Sequence, residues 1–155
     1  MHPIEQAMRV VGAMSRTEIR AAINDTREFI KQMPDALSAD SAPVQHFFAP
    51  GCYAREITMA EGTVVIGKIH KHAHINVLSK GRVLVLTEHG SEEFEAPRTF
   101  VSEPYIQRVV HVLDDAVWTT VHITNSTDLT EIEREVIATD YSEVEINAEF
   151  TEVQS

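Results

Sequence analysis

A chain of 155 residues is long enough for one domain with its own hydrophobic core. Its hydrophobic fraction of 43% and charged fraction of 24% are ordinary for a globular protein. The formal net charge of −11 argues against binding to nucleic acid or to an anionic membrane, because both partners need clustered Lys and Arg.

The compartment can be predicted from the cysteine content and the N-terminus. The single cysteine, Cys52, excludes an internal disulfide and fits a reducing compartment. The first residues lack the basic and apolar pattern of a signal peptide, and no apolar run reaches the length of a membrane-spanning helix. We therefore expect a cytoplasmic protein.

The first predicted element is a helix over residues 16–33. Ser15 and Glu18 have the spacing of a capping box, with a hydroxyl followed three residues later by a carboxylate. Behind them one helical face carries Ile19, Ile23, Ile30 and Met33. Pro34 ends the helix, and residues 35–43, rich in Ala, Ser, Asp and Pro, predict a linker.

From His46 onward, short β-like runs alternate with turn signals that contain Gly, Pro or paired Asp. The predicted strands are Cys52–Met59, Thr63–Leu78, Arg82–Glu88, Glu92–Glu95, Arg98–Ser102, Gln107–Leu113 and Ala116–Thr124. Several short strands with turns every 8 to 12 residues are typical of an all-β sandwich or barrel.

A second capping-box pattern, from Thr130 to Glu133, predicts a short C-terminal helix. Its apolar stripe consists of Leu129, Ile132, Val136 and Ile137. From Tyr141 the chain is acidic, with Val144 and Ile146 alternating. This end is either a final strand that pairs with a neighbouring subunit or a loose tail.

Three histidines at i, i+2 and i+4 are the strongest functional signal. His70, His72 and His74 lie in a run rich in Val and Ile, and in a continuous strand all three side chains point the same way. Imidazole is a common transition-metal ligand, so the run predicts a metal site. The outer two lie roughly 13 Å apart in an extended strand. We expect His70 and His74 to share an ion if the strand bends, and His70 and His72 if it does not.

The segment resembles the first motif of the cupins, which is Gly, five residues, His-x-His, three or four residues, Glu, six residues, Gly. If Gly81 is the closing glycine, His74 takes the Glu slot, His70 the second His slot and Lys68 the first. In the alternative register His70 and His72 are the His-x-His pair, and Asn76 takes the Glu slot.

The second cupin motif, Pro-x-Gly-x-x-His-x-x-x-Asn, is matched more weakly from Pro104, with Ile106 in place of its Gly and Val109 in place of its His. His111 then lies on the same face as Val109 and reaches the same centre. The last core strand places His122 on one side with Trp118 and Thr120.

The resemblance covers residues 46–124 and implies a mainly β fold, a single cupin-type double-sheet (jelly-roll) barrel with an N-terminal helix and a short C-terminal helix. Residues 1–45 form the N-terminal helix and linker, and residues 125–155 form the C-terminal helix and acidic tail. The arrangement resembles small cupin-like proteins of tailed bacteriophages, which implies a host-cytoplasmic protein.

The predicted site residues are of two kinds. The expected metal ligands are His70, His72, His74 and His111. The expected ligand-binding residues are Arg55, Asn76, Tyr105, Gln107 and His122. The metal is a divalent transition metal, one of Fe, Mn, Ni or Zn. No catalytic residue is assigned.

Three functions remain open from the sequence. The first is a metal-dependent enzyme that acts on a small molecule. The second is a module that binds or sequesters a small ligand without turnover, and the third is a structural or assembly protein. We expect a homodimer, because the chain carries spare elements at both ends of the barrel, and we expect neither nucleic acid nor membrane as a partner.

Overall fold

The computed structural model describes residues 3–30 and 42–138. The helices are α1 (Pro3–Gly12), α2 (Arg16–Ile30) and α3 (Leu129–Val136). The strands are β1 (Val44–Ala49), β2 (Cys52–Met59), β3 (Val64–Ile66), β4 (Ile69–His70), β5 (His74–Thr87), β6 (Gly90–Glu95), β7 (Arg98–Ser102), β8 (Val109–Ile123) and β9 (Ile137–Ala138). Within these described ranges, no helix is long and apolar enough to cross a membrane.

Two long antiparallel strands, β5 and β8, form the centre of the fold. At one end β5 also pairs with β7, and β8 pairs with β2, which pairs with β1. This gives a five-stranded layer in the order β1-β2-β8-β5-β7. At the other end β5 pairs with β6 and β8 pairs with β3, which gives a four-stranded layer in the order β3-β8-β5-β6. The predicted mainly β, double-sheet barrel is confirmed.

The two long strands bend where the sequence predicted turns. The register of β5 against β8 shifts between Leu78 and Val83, and Gly81 there has a φ of +90°. A Cβ at Gly81 would collide with the backbone of Asp115 and Ala116 on β8, so only glycine fits. The predicted strand ends at Lys80–Gly81 and at Asp114–Asp115 are therefore wrong. These residues bend continuous strands between the two layers.

The hydrophobic core lies between the two layers. Leu78, Val83 and Val112 are fully buried in it. The remaining buried members come from both layers and are Ile57, Met59, Val85, Phe94, Val110, Ala116 and Trp118. Side chains of β5 alternate faces, so Leu84 and Leu86 point away from this core into a second apolar cluster.

The N-terminal helices cover that second face of the four-stranded layer. Met8 of α1 and Ile19 and Ile23 of α2 pack against Leu84 and Leu86. The predicted helix at 16–33 is confirmed as α2 up to Ile30, and its predicted end at Met33 and the predicted linker up to residue 41 lie outside the described residues. The capping box forms, since the Ser15 hydroxyl accepts from the Glu18 amide and donates to its carboxylate. Helix α1 was not predicted.

A buried ion cluster ties α2 to the end of β5. The Glu88 side chain is only 1% exposed, and its carboxylate accepts hydrogen bonds of 2.5 Å from both Arg16 and Arg20. Burial raises the pKa of Glu88, but the two guanidinium groups outweigh it and the pKa is lowered overall. The carboxylate is therefore charged and fully paired.

The predicted C-terminal helix is present as α3, but it begins earlier than predicted. Asp128 is the N-cap, and its carboxylate accepts from the amides of Thr130 and Glu131. Ile132 and Val136 are buried against Tyr53 of β2, so α3 lies on the end of the barrel. The predicted strand or tail from Tyr141 lies outside the described residues.

Candidate functional site

A cavity of about 380 Å³ lies inside the barrel at the end covered by α3. This volume is within the usual range for small-molecule sites. Where it meets the core, its wall is apolar and consists of Ile57, Met59, Val65, Val110 and Trp118. The polar lining residues are His46, Tyr53, Arg55, Lys68, His70, His74, Asn76, Arg108, Thr120, His122 and Glu133.

The histidine segment is not one continuous strand. It is divided into β3, β4 and the start of β5, and the chain bends between His70 and His74. The expectation that all three histidines share one strand face is therefore wrong. His72 lies in the bend and is exposed, whereas His70 and His74 both line the cavity.

Three imidazole rings from three strands meet at the cavity wall. The ring centroids of His70 and His74 are 4.3 Å apart, and each lies 5.0 Å from the ring centroid of His122 on β8. We call these three residues the histidine cluster. The bend allows the contact, since an extended strand would keep His70 and His74 roughly 13 Å apart. His122 was expected to bind ligand and not metal, and its position makes it the third member.

Backbone groups act on two of the three rings. The Nδ1 of His74 is 3.2 Å from the carbonyl oxygen of His72, and the backbone of Lys68 acts on the His70 ring by raising its pKa against the larger lowering by burial. A ring N–H that donates to a carbonyl leaves the other ring nitrogen of a neutral imidazole as an acceptor. His72 thus contributes its backbone and not its side chain.

The cluster is uncharged at neutral pH. Burial lowers the pKa of His70 to about 3, with further lowering by His74, His122 and Arg108. Burial lowers the pKa of His122 to about 4, helped by His74 and Arg55. Burial also lowers the pKa of His74. Neutral imidazole is the form that binds metals.

An aromatic row extends the cluster toward β1. The Tyr53 ring is nearly parallel to the rings of His122 and His46, with centroid distances of 6.2 and 5.8 Å. Its hydroxyl oxygen is 2.6 Å from Nδ1 of His46. Burial raises the pKa of Tyr53, against a lowering by Arg55, so the hydroxyl keeps its proton at neutral pH.

Asn76 is buried at the boundary between the polar and apolar walls. Its amide nitrogen donates to the Ser102 hydroxyl at 2.5 Å, and its oxygen accepts from Trp118 Nε1 at 2.9 Å and from Thr120 at 3.4 Å. The predicted ligand-binding Asn76 therefore lines the cavity, and its amide already holds the wall together.

Two arginines give the cavity positive charge. Arg55, a predicted ligand-binding residue, lines it from β2, and Arg108 lines it from the residue before β8. Arg108 stands 5.7 Å over the Phe100 ring, and burial lowers its pKa. Lys68 also lines the cavity but forms an ion pair with Glu133 of α3.

Three other predicted site residues lie outside the cavity lining. His111 is buried, but it alternates with the inward-facing Val110 and Val112 and so faces the opposite side of β8; the expectation that it reaches the centre is wrong. Gln107 is buried and donates to the Gly67 carbonyl at 3.0 Å. Tyr105 donates its backbone N–H to the His70 carbonyl at 2.8 Å.

Sequence reasoning missed Arg108 because it misread which face of β8 points inward. Residues 109–113 are nearly all apolar, as expected for a strand that is buried on both faces, so no alternation shows which face is inner. The inner face carries Trp118 and His122, which have even residue numbers, as Arg108 does. This even numbering was the sequence signal that could have identified Arg108 as a lining residue.

Helix α3 and β9 close the cavity and contact the cluster through β4. Ile132 and Val136 line the cavity from α3, and β9 pairs with β4 at His70 and Ile137. The Lys71 amide donates to the Val136 carbonyl at 2.7 Å. The element that carries His70 is therefore held by the element that covers the cavity.

The histidine cluster has the donor chemistry of a transition-metal site, but its rings as they stand do not form a group that could hold a metal ion. Rings that share a tetrahedral ion have centroids about 5 Å apart, given metal–nitrogen bonds of about 2 Å. Among the described residues, no group of three or more His, Cys, Asp or Glu side chains has the arrangement of a formed metal centre. The rings stack at 18° to 43°, so ring rotation is needed before their nitrogens converge.

No family model and no curated protein matches the sequence. Among solved structures the chain is similar to KdgF from a Halomonas species, with a TM-score of 0.48 and 15% identity over 57% of this chain and 83% of that one. It is also similar to a Cupin 2 conserved barrel domain protein from Salinispora arenicola, with a TM-score of 0.46 and 16% identity over 61% and 82%. A third is an RmlC-like cupin from Shewanella frigidimarina, with a TM-score of 0.45 and 12% identity over 57% and 88%. No phage protein is among these three, and the resemblance to phage proteins stays a prediction.

Proposed function

We propose that this chain is a cupin-like barrel protein that binds one divalent transition metal through His70, His74 and His122 and holds a small molecule beside it. The observation that carries the proposal is the meeting of three neutral imidazoles from different strands at the wall of a ligand-sized cavity. A donor set of imidazoles suits Zn, Fe or Ni and gives Ca or Mg no advantage.

A metal bound there would supply Lewis acidity next to the small molecule. The chain's own residues provide the rest of the site. Tyr53 offers a protonated hydroxyl beside His46, and Arg55 and Arg108 offer fixed positive charge. Among the described lining residues the carboxylate is that of Glu133, which is paired with Lys68, so we assign no general base and no catalytic residue.

Metal content measured by elemental analysis tests the proposal. We expect stoichiometric metal in the wild-type protein and its loss in His70→Ala, His74→Ala and His122→Ala. His72→Ala is the matched control, because its exposed side chain lies in the same segment outside the cavity. Absence of bound metal in the wild-type protein after incubation with Zn, Fe, Ni and Mn would contradict the proposal, and so would loss of metal in His72→Ala.

A metal-free capture module is the second candidate. The nearly parallel rings of His46, Tyr53, His122 and His70 favour it, since a row of stacked rings offers a flat wall to a planar ligand. Ligand binding that is unchanged by a chelator and by His74→Ala, but weakened by Tyr53→Ala, would favour this candidate over the metal site.

A homodimer is supported by the outer face of the five-stranded layer. One row across its five strands is apolar throughout and consists of Val101, Ile75, Val121, Ala54 and Phe47. Val101 is 63% exposed, and an exposed apolar row of this kind marks an interface. We assign it to a second copy, because like-charged chains of net charge −11 meet best on uncharged faces. Light scattering should show a dimer that Val101→Glu converts to a monomer, and a monomeric wild-type protein would contradict the assignment.

A further inference from the structure

The cavity contains positive charge that the described part of the chain does not balance. Arg55 and Arg108 both line it, and neither forms an ion pair with any residue in 3–30 or 42–138. Lys68 and Glu133 balance each other. The cavity lining is therefore positively charged in a chain whose net charge is −11.

The two arginines act on different members of the histidine cluster. The charge of Arg108 acts on His70 and His74, and the charge of Arg55 acts on His122 and Tyr53. Both guanidinium groups therefore contribute to the electrostatics of the cluster from the lining of one cavity.

Arg108 is half-buried, and its guanidinium has no carboxylate partner among the described residues. A guanidinium does not lose its proton in proteins, so it cannot escape the cost of desolvation by becoming neutral. The Phe100 ring offers only a weak partner at 5.7 Å. Glu88 shows how this chain treats a buried charge elsewhere, with two partners at 2.5 Å. The missing partner of Arg108 is thus expected to come with the ligand.

The rest of the wall indicates what the anion is attached to. Val65, Val110, Ile57 and Met59 line the cavity next to the Trp118 ring. An inorganic anion would leave this surface in contact with water, whereas an organic acid places its apolar part there.

We infer that the ligand of this cavity is a small organic acid whose carboxylate is bound by Arg108, with Arg55 as the second guanidinium of the lining and the apolar part of the acid against Trp118. A planar guanidinium fork matches a carboxylate in two parallel hydrogen bonds. The inference deepens the proposed function and rests on its small-molecule site. It does not require the metal.

Calorimetric titration of chelator-treated protein tests the inference with hexanoate, hexanamide and inorganic phosphate as probes. We expect hexanoate to bind at least tenfold more tightly than hexanamide, which has the same shape without the charge, and than phosphate, which has charge without an apolar part. Equal binding of hexanoate and hexanamide, or absence of hexanoate binding, would overturn the inference. Binding of phosphate alone would overturn the organic part of it.

Variants locate the anion within the cavity. Arg108→Gln should weaken hexanoate binding roughly 10- to 100-fold, the range expected for charged hydrogen bonds, and Arg108→Lys should restore part of it. Arg82→Gln is the control of equal charge, since Arg82 pairs with Glu93 and Asp114 on the surface. An equal loss in Arg82→Gln, or none in Arg108→Gln, would overturn the assignment.

The same titrations separate this inference from the metal proposal. Hexanoate binding that survives in the His70→Ala protein, together with a wild-type protein that takes up no metal, would contradict the metal site and leave the anion site standing. Stoichiometric metal in a protein that binds no hexanoate, with or without the metal, would contradict the anion site and leave the metal site standing.

Discussion

Two charged side chains in this barrel, the buried Glu88 and the half-buried Arg108, have opposite surroundings. At the seam between α2 and β5, the carboxylate of Glu88 is enclosed and accepts hydrogen bonds from Arg16 and Arg20. In the cavity, the guanidinium of Arg108 has no carboxylate partner among the described residues. Glu88 has its counter-charges within the chain, and its ion pairs hold α2 against β5. Arg108 gains a counter-charge only from a ligand. The difference separates a charge with a structural role from a charge that binds a ligand.

Among the substitutions, the largest loss of stability is expected at Glu88. Glu88→Gln should lower the free energy of unfolding by about 3 kcal/mol, because it removes the charge from a buried pair and leaves two guanidinium groups behind it. Urea unfolding followed by circular dichroism measures the change. Glu92→Gln is the control, as it breaks an exposed ion pair with Arg98 and should cost less than about 1 kcal/mol. A loss no larger than the control's would remove the contrast.

As the pH is lowered, the histidine cluster should begin to reduce the stability at a higher pH than Glu88 does. The pKa values of His70 and His122 are lowered from 6.5 to about 3 and about 4, so between those values the unfolded chain binds more protons than the folded one. The stability of the metal-free protein is therefore full above pH 6.5 and falls as the pH is lowered, by up to about 2 kcal/mol for each of the two rings at pH 5. Glu88, whose pKa is lowered from 4.5, adds its own loss only below pH 4.5.

Unfolding in urea from pH 7.5 to pH 5 measures this slope. A His70→Gln and His122→Gln double variant should give a flatter profile over the same window. A wild-type protein whose stability is unchanged down to pH 5 would show that the rings are already accessible to protons in the folded state.

Asn76 lines the same cavity and provides an uncharged case to set beside Glu88 and Arg108. Asn76→Ala should lower the free energy of unfolding by about 2 kcal/mol, because it leaves Trp118 Nε1 and the Ser102 hydroxyl buried without their partner. Thermal and urea unfolding check it. Ser79→Ala, which removes an exposed hydroxyl with one long bond to the Val117 carbonyl, should be nearly neutral. If both variants are neutral, Asn76 is free to serve a ligand.

The substitution of Arg108 should change the free energy of unfolding least, and in the opposite direction. In the ligand-free protein Arg108→Gln should leave the free energy of unfolding unchanged or raise it by up to about 1 kcal/mol, since it removes a half-buried charge that has no carboxylate partner among the described residues. The same urea measurement applies. A loss of more than about 1.5 kcal/mol would mean that the chain already compensates the charge of Arg108, as it does that of Glu88.

The fold class was accessible from the sequence because alternation and turn residues mark strands locally. β2 has the predicted bounds, and the capping box at Ser15 begins α2. β1 was missed, since this edge strand is mostly exposed and is defined by its pairing with β2. The predictions divided β5 at Gly81 and β8 at Asp114–Asp115, because residues that bend a strand have the same local signature as residues that end it.

The candidate site was predictable in its residue types but not in its geometry. His70 and His74 stood out by spacing, but their contact depends on a bend whose residues, Lys71 and Ala73, carry no turn signal. His122 joins them from a strand some fifty residues away, a neighbour set by tertiary pairing. Arg108 was missed because a strand buried on both faces does not show which of its residues point inward.

The two-residue ladder between β4 and β9 has a consequence for the behaviour of the whole C-terminal segment. His70 pairs with Ile137, and the Lys71 amide bonds the Val136 carbonyl, so the ring cluster and helix α3 share backbone contacts. By thermodynamic linkage, any occupant that binds better when His70 is held in place also lowers the equilibrium population in which α3 is detached. Slowed hydrogen exchange at the Lys71 amide would then report occupancy of the barrel from a backbone group outside its lining.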